Sequence, residues 1–276
     1  MKCISPISLK NEAPDPVIGY RCRLVPCGRC YACLSNKRSS WSVRLKEELK
    51  HSTSAHFVTL TYDDDHLPLV YIDDVPAPTL SKDDVQKFMK RLRKKQLGKI
   101  RYFLVGEYGT NTQRPHYHAL LFNIEGSRLQ AQASILEAWK NGNVHCGSVS
   151  DASIHYCTSY IVNKSEYKHY EEYGLTAPFA LMSRRPGIGF QYVEKLGSWH
   201  ADDSDRFYYP DNAIKRPLPR FYRDKVYNPS ERAVNALKME KMALTEERTI
   251  SFREEFERKS HANDIYLKNF NKNQKL

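Results

Sequence analysis

The sequence lacks long apolar runs. No segment approaches the roughly 18 consecutive apolar residues that a membrane span needs, and Met1 to Pro6 hold no apolar core of a secretory signal. We therefore expect a cytoplasmic protein without a membrane partner. Cysteine is also scarce, with seven in 276 residues. In a reducing compartment, clustered thiols favour metal binding over disulfides.

Acidic residues are in the minority. Asp and Glu number 32 against 43 Lys and Arg, which leaves a formal net charge of +11. An excess of this size favours a polyanionic partner, because Lys and Arg that contact phosphates release bound counterions. A basic, well-solvated surface would explain the same charge, so nucleic-acid binding needs support from individual motifs.

Hydropathy and residue preferences predict a mixture of helices and strands. The helical patterns cover about 30–50, 126–140 and 151–166, and another begins at Ser81. The strand patterns cover 57–62, 101–107 and 116–122. The connector between the last two strands contains glycine, asparagine and proline, which is typical of an antiparallel hairpin-like turn.

The remaining segments are less regular. We interpret 69–80 as a loop, 217–228 as extended chain and the region from about Glu231 as a highly charged helical tail. The predicted organisation is a cysteine-rich segment with the first helix at 1–50, a main domain at 51–228 and a tail at 229–276.

The most informative motif is His116-Tyr117-His118 on a predicted strand. Residues two apart on a strand point to the same face, so the two imidazoles converge while Tyr117 enters the opposite layer. Glu107 ends the preceding strand and completes a His₂-carboxylate set if it shares that face. Such a set can hold Mg²⁺ or Mn²⁺ and leave room for a phosphate oxygen. The alternatives are a structural histidine pair and a solvated carboxylate.

A second motif is Tyr156, Tyr160 and Lys164, spaced by four along a predicted helix and therefore on one helical face. A phenol has a pKa near 10 and is a poor nucleophile at neutral pH unless it is activated. A metal that polarises a scissile phosphate compensates for this weakness, and a lysine can stabilise negative charge. The alternative is a pair of amphipathic core tyrosines.

Together these motifs resemble those of the HUH endonuclease superfamily, and more specifically the replication initiators of gokushovirus-type microviruses, small single-stranded DNA phages of bacteria. Three further segments are similar to that group: Val25–Cys33, Arg114–Phe122 and Met182–Gly187. The resemblance covers about 1–228. It implies an α+β fold with a central antiparallel sheet of the RRM or ferredoxin-like type, flanked by helices and preceded by the cysteine-rich segment.

The resemblance also implies roles for the motif residues. His116 and His118 become metal ligands, with Glu107 as the third, and Tyr160 or Tyr156 becomes the nucleophile. In the family a lysine often follows the second tyrosine by three residues, whereas Asn163 occupies that position here and Lys164 follows by four. The role of Lys164 is therefore less well supported than the roles of the histidines.

The activity implied is rolling-circle replication in the host bacterial cytoplasm. The enzyme would nick single-stranded DNA at a phage origin, keep a 5′-phosphotyrosine bond and later rejoin the strand as a circle. Single-stranded DNA and origin DNA are the expected partners, together with host polymerase and helicase.

Five of the seven cysteines precede residue 36, and three of them follow the spacing Cys27-x-x-Cys30-x-x-Cys33. A closed tetrahedral Zn²⁺ site needs a fourth ligand, for which Cys3 and Cys22 are candidates and Cys3 is preferred. Zinc here would be structural and would attach an irregular N-terminus to the first helix. Reduced, partly packed thiols are the alternative.

Basic side chains near the motifs are candidate DNA contacts. Arg184 and Arg185 precede a Gly-Ile-Gly turn, and Arg114 lies two residues before the first histidine. Arginine matches phosphate geometry, and glycine permits close backbone approach. A plain solvated loop would carry the same residues.

Three other functions remain open from the residues alone. An HUH transposase or plasmid relaxase would share the chemistry, although the cysteine run and paired tyrosines argue against single-tyrosine transposases. A non-catalytic, zinc-dependent nucleic-acid-binding protein would use the cysteines and the charge. A metallohydrolase with a cupin-like barrel would use the His-x-His motif, but it needs more strands and fewer helices.

Overall fold

A computed structural model describes residues 3–10, 22–109, 111–160, 167–203, 205–211 and 214–245, and positions 257, 260, 261 and 264. The strands are β1 Ile7–Lys10, β2 Cys22–Val25, β3 Ala55–Thr61, β4 Leu69–Ile72, β5 Val75–Pro78, β6 Arg101–Tyr108, β7 Pro115–Phe122, β8 Val144–Ser148, β9 Phe179–Met182, β10 Tyr208–Asp211 and β11 Ile214–Pro217. The helices are α1 Tyr31–Lys50, α2 Lys82–Lys94, α3 Arg128–Ala138, α4 Asp151–Ser159, α5 Tyr167–Glu172, α6 Gln191–Ala201, α7 Arg220–Val226 and α8 Pro229–Thr245.

The chain forms two compact units. One comprises Met1–Trp41 and Gln191–Leu276, and the other comprises Ser42–Phe190. The three-part division at 50 and 228 stays a prediction. None of the helices in the described ranges is both long and apolar enough to cross a membrane.

The unit Ser42–Phe190 is built on a five-stranded sheet in the order β8-β3-β7-β6-β9. Every neighbouring pair is antiparallel, which confirms the predicted α+β class with a central antiparallel sheet. β7 lies in the middle, between β3 and β6. The sheet is open, with β8 and β9 as its edges, so the described chain does not form the closed barrel of the cupin-like alternative.

Helices α2 and α3 cover one face of this sheet. In α2, the Ser81 side chain caps the N-terminus by accepting from the Asp84 amide, and this bond satisfies one of the otherwise unpaired donors. Acidic residues occupy the first turn of the helix and basic residues the last, as the helix dipole favours. Its buried face meets Trp139 and the apolar strand residues. The residues of that face are Val85, Phe88, Met89 and Leu92.

Tyr117 fastens the middle strand to this covered face. Its ring is fully buried, and its hydroxyl lies 2.9 Å from the Tyr62 hydroxyl and accepts from the Ser81 amide at 2.8 Å. Gly106 lies opposite Tyr117 on β6, and a Cβ at Gly106 would approach the Tyr117 ring to 3.1 Å. The ring therefore needs glycine at that position to pack against the sheet.

The unit formed by the terminal segments contains the hairpins β1–β2 and β10–β11 and the helices α6, α7 and α8. Its core is rich in tyrosine. The Tyr192 ring stacks on Tyr222 with a centroid separation of 4.6 Å, and the Tyr192 hydroxyl lies 2.8 Å from His200 Nε2. His200 is fully buried, so this hydroxyl satisfies a polar group that burial would otherwise leave unpaired.

Three predictions of local structure were wrong. The predicted loop 69–80 contains the β4–β5 hairpin, whose turn residues Asp73 and Asp74 both have positive φ, a conformation that aspartate tolerates in tight turns. The predicted extended segment 217–228 contains α7, because its prolines precede the helix rather than interrupt it. The predicted helix 151–166 ends as α4 at Ser159, and 161–166 lie outside the described residues.

The Tyr117 hydroxyl generates the first prediction. Replacing Tyr117 with Phe leaves the buried Ser81 backbone groups with fewer partners, so we expect the free energy of unfolding to fall by about 1–3 kcal/mol. Urea denaturation measures this change. Tyr71→Phe is the matched control, since Tyr71 is 71% exposed and its hydroxyl is open to water. Equal stability of the two variants would contradict an anchoring role for Tyr117.

Candidate active site

The strand register brings the predicted metal ligands to one face of the sheet. β6 and β7 pair with Glu107 opposite His116 and Val105 opposite His118. Residues opposite each other in an antiparallel pair share a face, and His116 and His118 share it because they are two apart. The Glu107 Oε1 atom lies 2.9 Å from His116 Nε2 and 3.0 Å from His118 Nε2.

The second ring nitrogen of each histidine has its own partner. His116 Nδ1 lies 3.1 Å from the Arg114 carbonyl oxygen, and therefore donates to it. His118 Nδ1 lies 3.0 Å from Thr59 Oγ1. These contacts orient both rings with Nε2 toward Glu107, and outer-shell partners of this kind are typical of metal-bound histidines. The donor atoms lie within 4.8 Å of one another, so the three residues fit a divalent cation.

Burial and hydrogen bonding set the charges of this cluster. Burial raises the pKa of Glu107, but the hydrogen bonds to His116 and His118 outweigh it and hold the pKa below its ordinary value. Burial lowers the pKa of His116, and the hydrogen bond to Glu107 outweighs it in the opposite direction, so that the pKa is raised. Glu107 is therefore ionised at neutral pH, and it favours a positive charge between the two histidines.

Helix α4 brings a tyrosine to the cluster. Ser150 caps the helix in a reciprocal pair of hydrogen bonds with Ser153. One face of α4 is buried, and Tyr156 projects from the helix to the histidines. The Tyr156 hydroxyl donates to Glu107 Oε1 at 3.1 Å and lies 3.3 Å from His118 Nε2. Phe57 of β3 stacks on His118 and meets the Tyr156 ring edge-on.

Tyr160 is the C-cap of α4 and lies one turn further along. Its ring centroid is 5.1 Å from that of Tyr156. Burial raises the pKa of both phenols, and the charge of Glu107 raises them further. Both tyrosines are therefore protonated at neutral pH in the absence of a cation. Lys164, the third member of the predicted face, lies outside the described residues.

The predicted arginines occupy different places. Arg114 lies at the same end of the sheet as His116, where it donates to the Tyr62 carbonyl and pairs with Asp64 at 2.8 Å. Arg184 and Arg185 are exposed on the loop after β9, beside the start of β6 and not at the histidines. The structure thus brings Arg114 near the cluster and separates the other two from it.

Two neighbours of the histidines, Thr59 and Phe57, escaped prediction from the sequence. Both were assigned to a strand or its apolar pattern only. The register of β3 against β7 puts Thr59 opposite His118, and no local pattern encodes that pairing. The alternating positions of 57 and 59 on one strand were the available signal.

The cysteines form a second cluster in the unit of the terminal segments. Cys3 joins Cys27, Cys30 and Cys33, with all four Sγ atoms within 4.8 Å of one another. The Cys3 and Cys30 sulfurs are 3.8 Å apart, and those of Cys27 and Cys33 are 4.0 Å apart. The Cys22 side chain lies outside the described residues. The structure therefore unites the preferred fourth candidate with the three spaced cysteines.

Backbone amides stabilise negative charge on these sulfurs. The Cys27 amide donates to Cys3 Sγ at 3.3 Å, and the amides of Arg29 and Cys30 donate to Cys27 Sγ. Gly28 permits this tight turn with φ of 74°. Burial raises the pKa of Cys30, but backbone hydrogen bonds outweigh it and lower the pKa to about 6. Four converging sulfurs with amide donors fit a tetrahedral thiolate-bound cation.

Comparisons with known proteins identify the family. The family model for replication-associated protein ORF2 matches residues 55–165, a span that holds the histidines, Glu107 and both tyrosines. The chain is 27% identical over 246 residues to replication-associated protein VP4 of Bdellovibrio phage phiMH2K, covering 81% of this chain and 76% of that protein. It is 31% identical over 217 residues to replication-associated protein ORF2 of Spiroplasma virus 4, covering 72% and 66%. The chain belongs to this family of phage replication-associated proteins.

A third relative and one solved structure complete the comparison. Replication-associated protein ORF4 of Chlamydia phage 1 is 28% identical over 160 residues, covering 51% of this chain and 38% of that protein. The N-terminal nuclease domain of minute virus of mice non-structural protein-1 aligns with 58% of this chain and 82% of that domain, at 8% identity and a TM-score of 0.20. A TM-score this low carries no argument about fold or function.

The coupled pKa shifts of the cluster predict a pH dependence of stability. The raised pKa of His116 means that its proton stabilises the fold below the ordinary value of about 6.5. That contribution is lost as pH rises through the raised value. The lowered pKa of Glu107 has the opposite effect, since its contribution is lost as pH falls. The cluster is therefore most stabilising between these two transitions when Mg²⁺ and Mn²⁺ are absent.

The test compares the wild type with His116→Gln, which cannot gain the proton, by urea denaturation from about pH 6 to about pH 8.5 without Mg²⁺ or Mn²⁺. We expect the stability of the wild type to decline more steeply with rising pH than that of the variant. Parallel pH profiles would show that the Glu107–His116 pair does not titrate as the geometry requires.

Proposed function

We propose that this protein is a metal-dependent initiator of rolling-circle replication that nicks single-stranded DNA at a phage origin with Tyr156. The observation that carries the proposal is the position of the Tyr156 hydroxyl, within 3.3 Å of both Glu107 Oε1 and His118 Nε2. A nucleophile beside a His₂-carboxylate set is the arrangement that phosphoryl transfer to a phenol needs. Membership of the phage replication-associated family supports the same function.

The step is a transesterification at phosphorus. The Tyr156 oxygen forms a bond to the scissile phosphorus, the bond from phosphorus to the 3′ oxygen breaks, and the 3′ oxygen leaves as a hydroxyl once it takes up a proton. The phenol proton departs along the hydrogen bond to Glu107 Oε1. The product is a 5′-phosphotyrosine, which conserves the backbone bond energy for rejoining.

His116, His118 and Glu107 would hold the divalent cation, Mg²⁺ or Mn²⁺. When bound, the cation supplies positive charge that offsets the developing charge on the phosphate and makes a protonated, high-pKa phenol an adequate nucleophile. The protein's own contribution is orientation. Thr59 and the Arg114 carbonyl fix the imidazoles, and Phe57 confines His118 and Tyr156 between ring contacts.

Tyr160 would act second. Its ring meets the Tyr156 ring edge-on, and its place at the C-cap puts it one helical turn further from the start of α4. After the first cut the Tyr156 oxygen is esterified, so a second transfer needs another phenol nearby. Host polymerase would extend the 3′-hydroxyl and a host helicase would separate the strands, and Lys164 would stabilise charge at the site.

We infer that the cysteine cluster holds a structural Zn²⁺, because four sulfurs with amide donors match the closed tetrahedral site that zinc favours. It belongs to the unit of the terminal segments, whereas the tyrosines belong to the other unit. Its role is to hold the N-terminal segment in place, separate from the chemistry.

The nucleophile assignment predicts different outcomes for the two tyrosines. The protein is incubated with labelled single-stranded DNA spanning candidate origins and Mn²⁺, and adducts that resist denaturation are counted. We expect Tyr156→Phe to lower first-turnover adduct formation at least about a hundredfold. Tyr160→Phe, the matched control, should keep the first adduct and lose the second transfer.

Two results would contradict the proposal. A wild-type protein without any adduct on the cognate origin would refute the nicking activity. An adduct that survives in Tyr156→Phe and disappears in Tyr160→Phe would reverse the order of the tyrosines. Circular dichroism of each variant checks that the fold is retained.

The zinc site predicts about one tightly bound zinc per chain. Replacement by Co²⁺ should produce the absorption of thiolate-bound cobalt, which a His₂-carboxylate site cannot give. Cys33→Ser should lose that absorption, while Cys146→Ser, which alters a cysteine outside the cluster, should keep it. Zinc-free protein with four thiols that react freely and an unchanged fold would refute the site.

A further inference from the structure

The loop that follows β9 is held by side chains that the proposed chemistry does not use. Glu48 is fully buried and Arg101 is 4% exposed, and the two form a bidentate ion pair. The remaining capacity of Arg101 goes to the loop, where it donates to the carbonyls of Pro186 at 2.8 Å and Gly187 at 3.0 Å. Glu48 accepts from the Gly189 amide at 2.7 Å.

Two more side chains secure the same loop. Arg44 donates to the Ile188 carbonyl at 3.0 Å, and Lys99 donates to the Arg185 carbonyl at 2.6 Å. Four consecutive loop carbonyls are therefore bound by basic side chains. A buried ion pair is costly to desolvate and adds little net stability. What this pair does achieve is a single conformation for a short loop.

That conformation presents arginines to solvent. Arg184 and Arg185 are both exposed, and the preceding residue, Ser183, exchanges hydrogen bonds with the Tyr102 backbone. Arg93 lies over the Tyr102 ring, with its guanidinium carbon 5.4 Å from the centroid. Arg93, Lys99, Arg184 and Arg185 form a continuous basic surface, which we term the β6-start surface.

The β6-start surface is remote from the nucleophile. Arg101 begins β6 and Glu107 lies six residues further along the same strand. At about 3.4 Å per residue the two ends are roughly 20 Å apart. The surface cannot contact the scissile phosphate, and a DNA segment that reached both would have to extend over about six base pairs of duplex.

We propose that the β6-start surface binds the phosphate backbone of duplex DNA flanking the nick site, an inference that rests on the proposed function. Single-stranded DNA is commonly bound by stacking its bases on exposed aromatic rings. The ring within this surface, Tyr102, is covered by Arg93, so what the surface offers is guanidinium and ammonium groups. Fixed arginine forks without a stacking platform suit a regular phosphate backbone.

The test measures affinity for a labelled duplex of about 30 base pairs and for a single strand of the same sequence across a salt series. The variant combines Arg184→Gln with Arg185→Gln. The matched control combines Arg220→Gln with Lys225→Gln on α7, which removes the same charge outside the surface. Binding is read by fluorescence anisotropy without Mg²⁺ or Mn²⁺.

We expect the loop variant to lose duplex affinity on the order of tenfold and to reduce the salt slope by about two, since each lost phosphate contact removes about 0.9 from the slope. The loss for the single strand should be at least about fivefold smaller, and the control should resemble the wild type. Equal losses for duplex and single strand would overturn the proposal, and so would a loop variant that matches the control.

The adduct assay separates this inference from the proposed function. If the wild type forms no adduct yet the loop variant loses duplex affinity selectively, the nicking activity is refuted and the surface stands. If the wild type forms the adduct and duplex affinity does not depend on the loop arginines, the nicking activity stands and the duplex-binding surface is refuted.

Discussion

The antiparallel register of β6 against β7 is the constraint on which the candidate site depends. It sets Glu107 opposite His116 and one pair away from His118, so one carboxylate oxygen lies within 3.0 Å of both imidazoles. A shift of one residue would send both histidines to the covered face, because side chains alternate along a strand. Tyr117 opposes that shift, since its buried hydroxyl has partners on the covered face alone.

The site places charge where burial alone would oppose it. Glu107 is 4% exposed, and an isolated buried carboxylate would be neutral or destabilising. Its hydrogen bonds to two histidines and a phenol keep it ionised, and this negative charge favours a cation between the rings. The same charge disfavours the phenolate form of Tyr156. The arrangement is therefore poised for a bound cation, whose charge would reverse the second effect.

The two ends of the central sheet carry different groups. One end holds the histidines, Glu107 and the tyrosines of α4, and the other holds an arginine-bearing loop that a buried Glu48–Arg101 pair fastens to the sheet. A single long strand, β6, runs between them. Any DNA contact at the loop is therefore kept at a set separation from the proposed cut, because a hydrogen-bonded central strand does not stretch.

The sequence alone determined the elements with strong local signals. The spacing of the histidines, the long helix ending at Lys50 and the Ser81 cap follow from periodicity and capping chemistry, which are local properties. The two-residue repeat of a strand was sufficient to predict that His116 and His118 converge. Tertiary structure alone decided which side chains meet them, since the register that places Thr59, Glu107 and Tyr156 around the imidazoles depends on contacts far apart in the chain. The same reason explains why short edge strands such as β8 and β9 and the anchoring of the arginine loop escaped prediction.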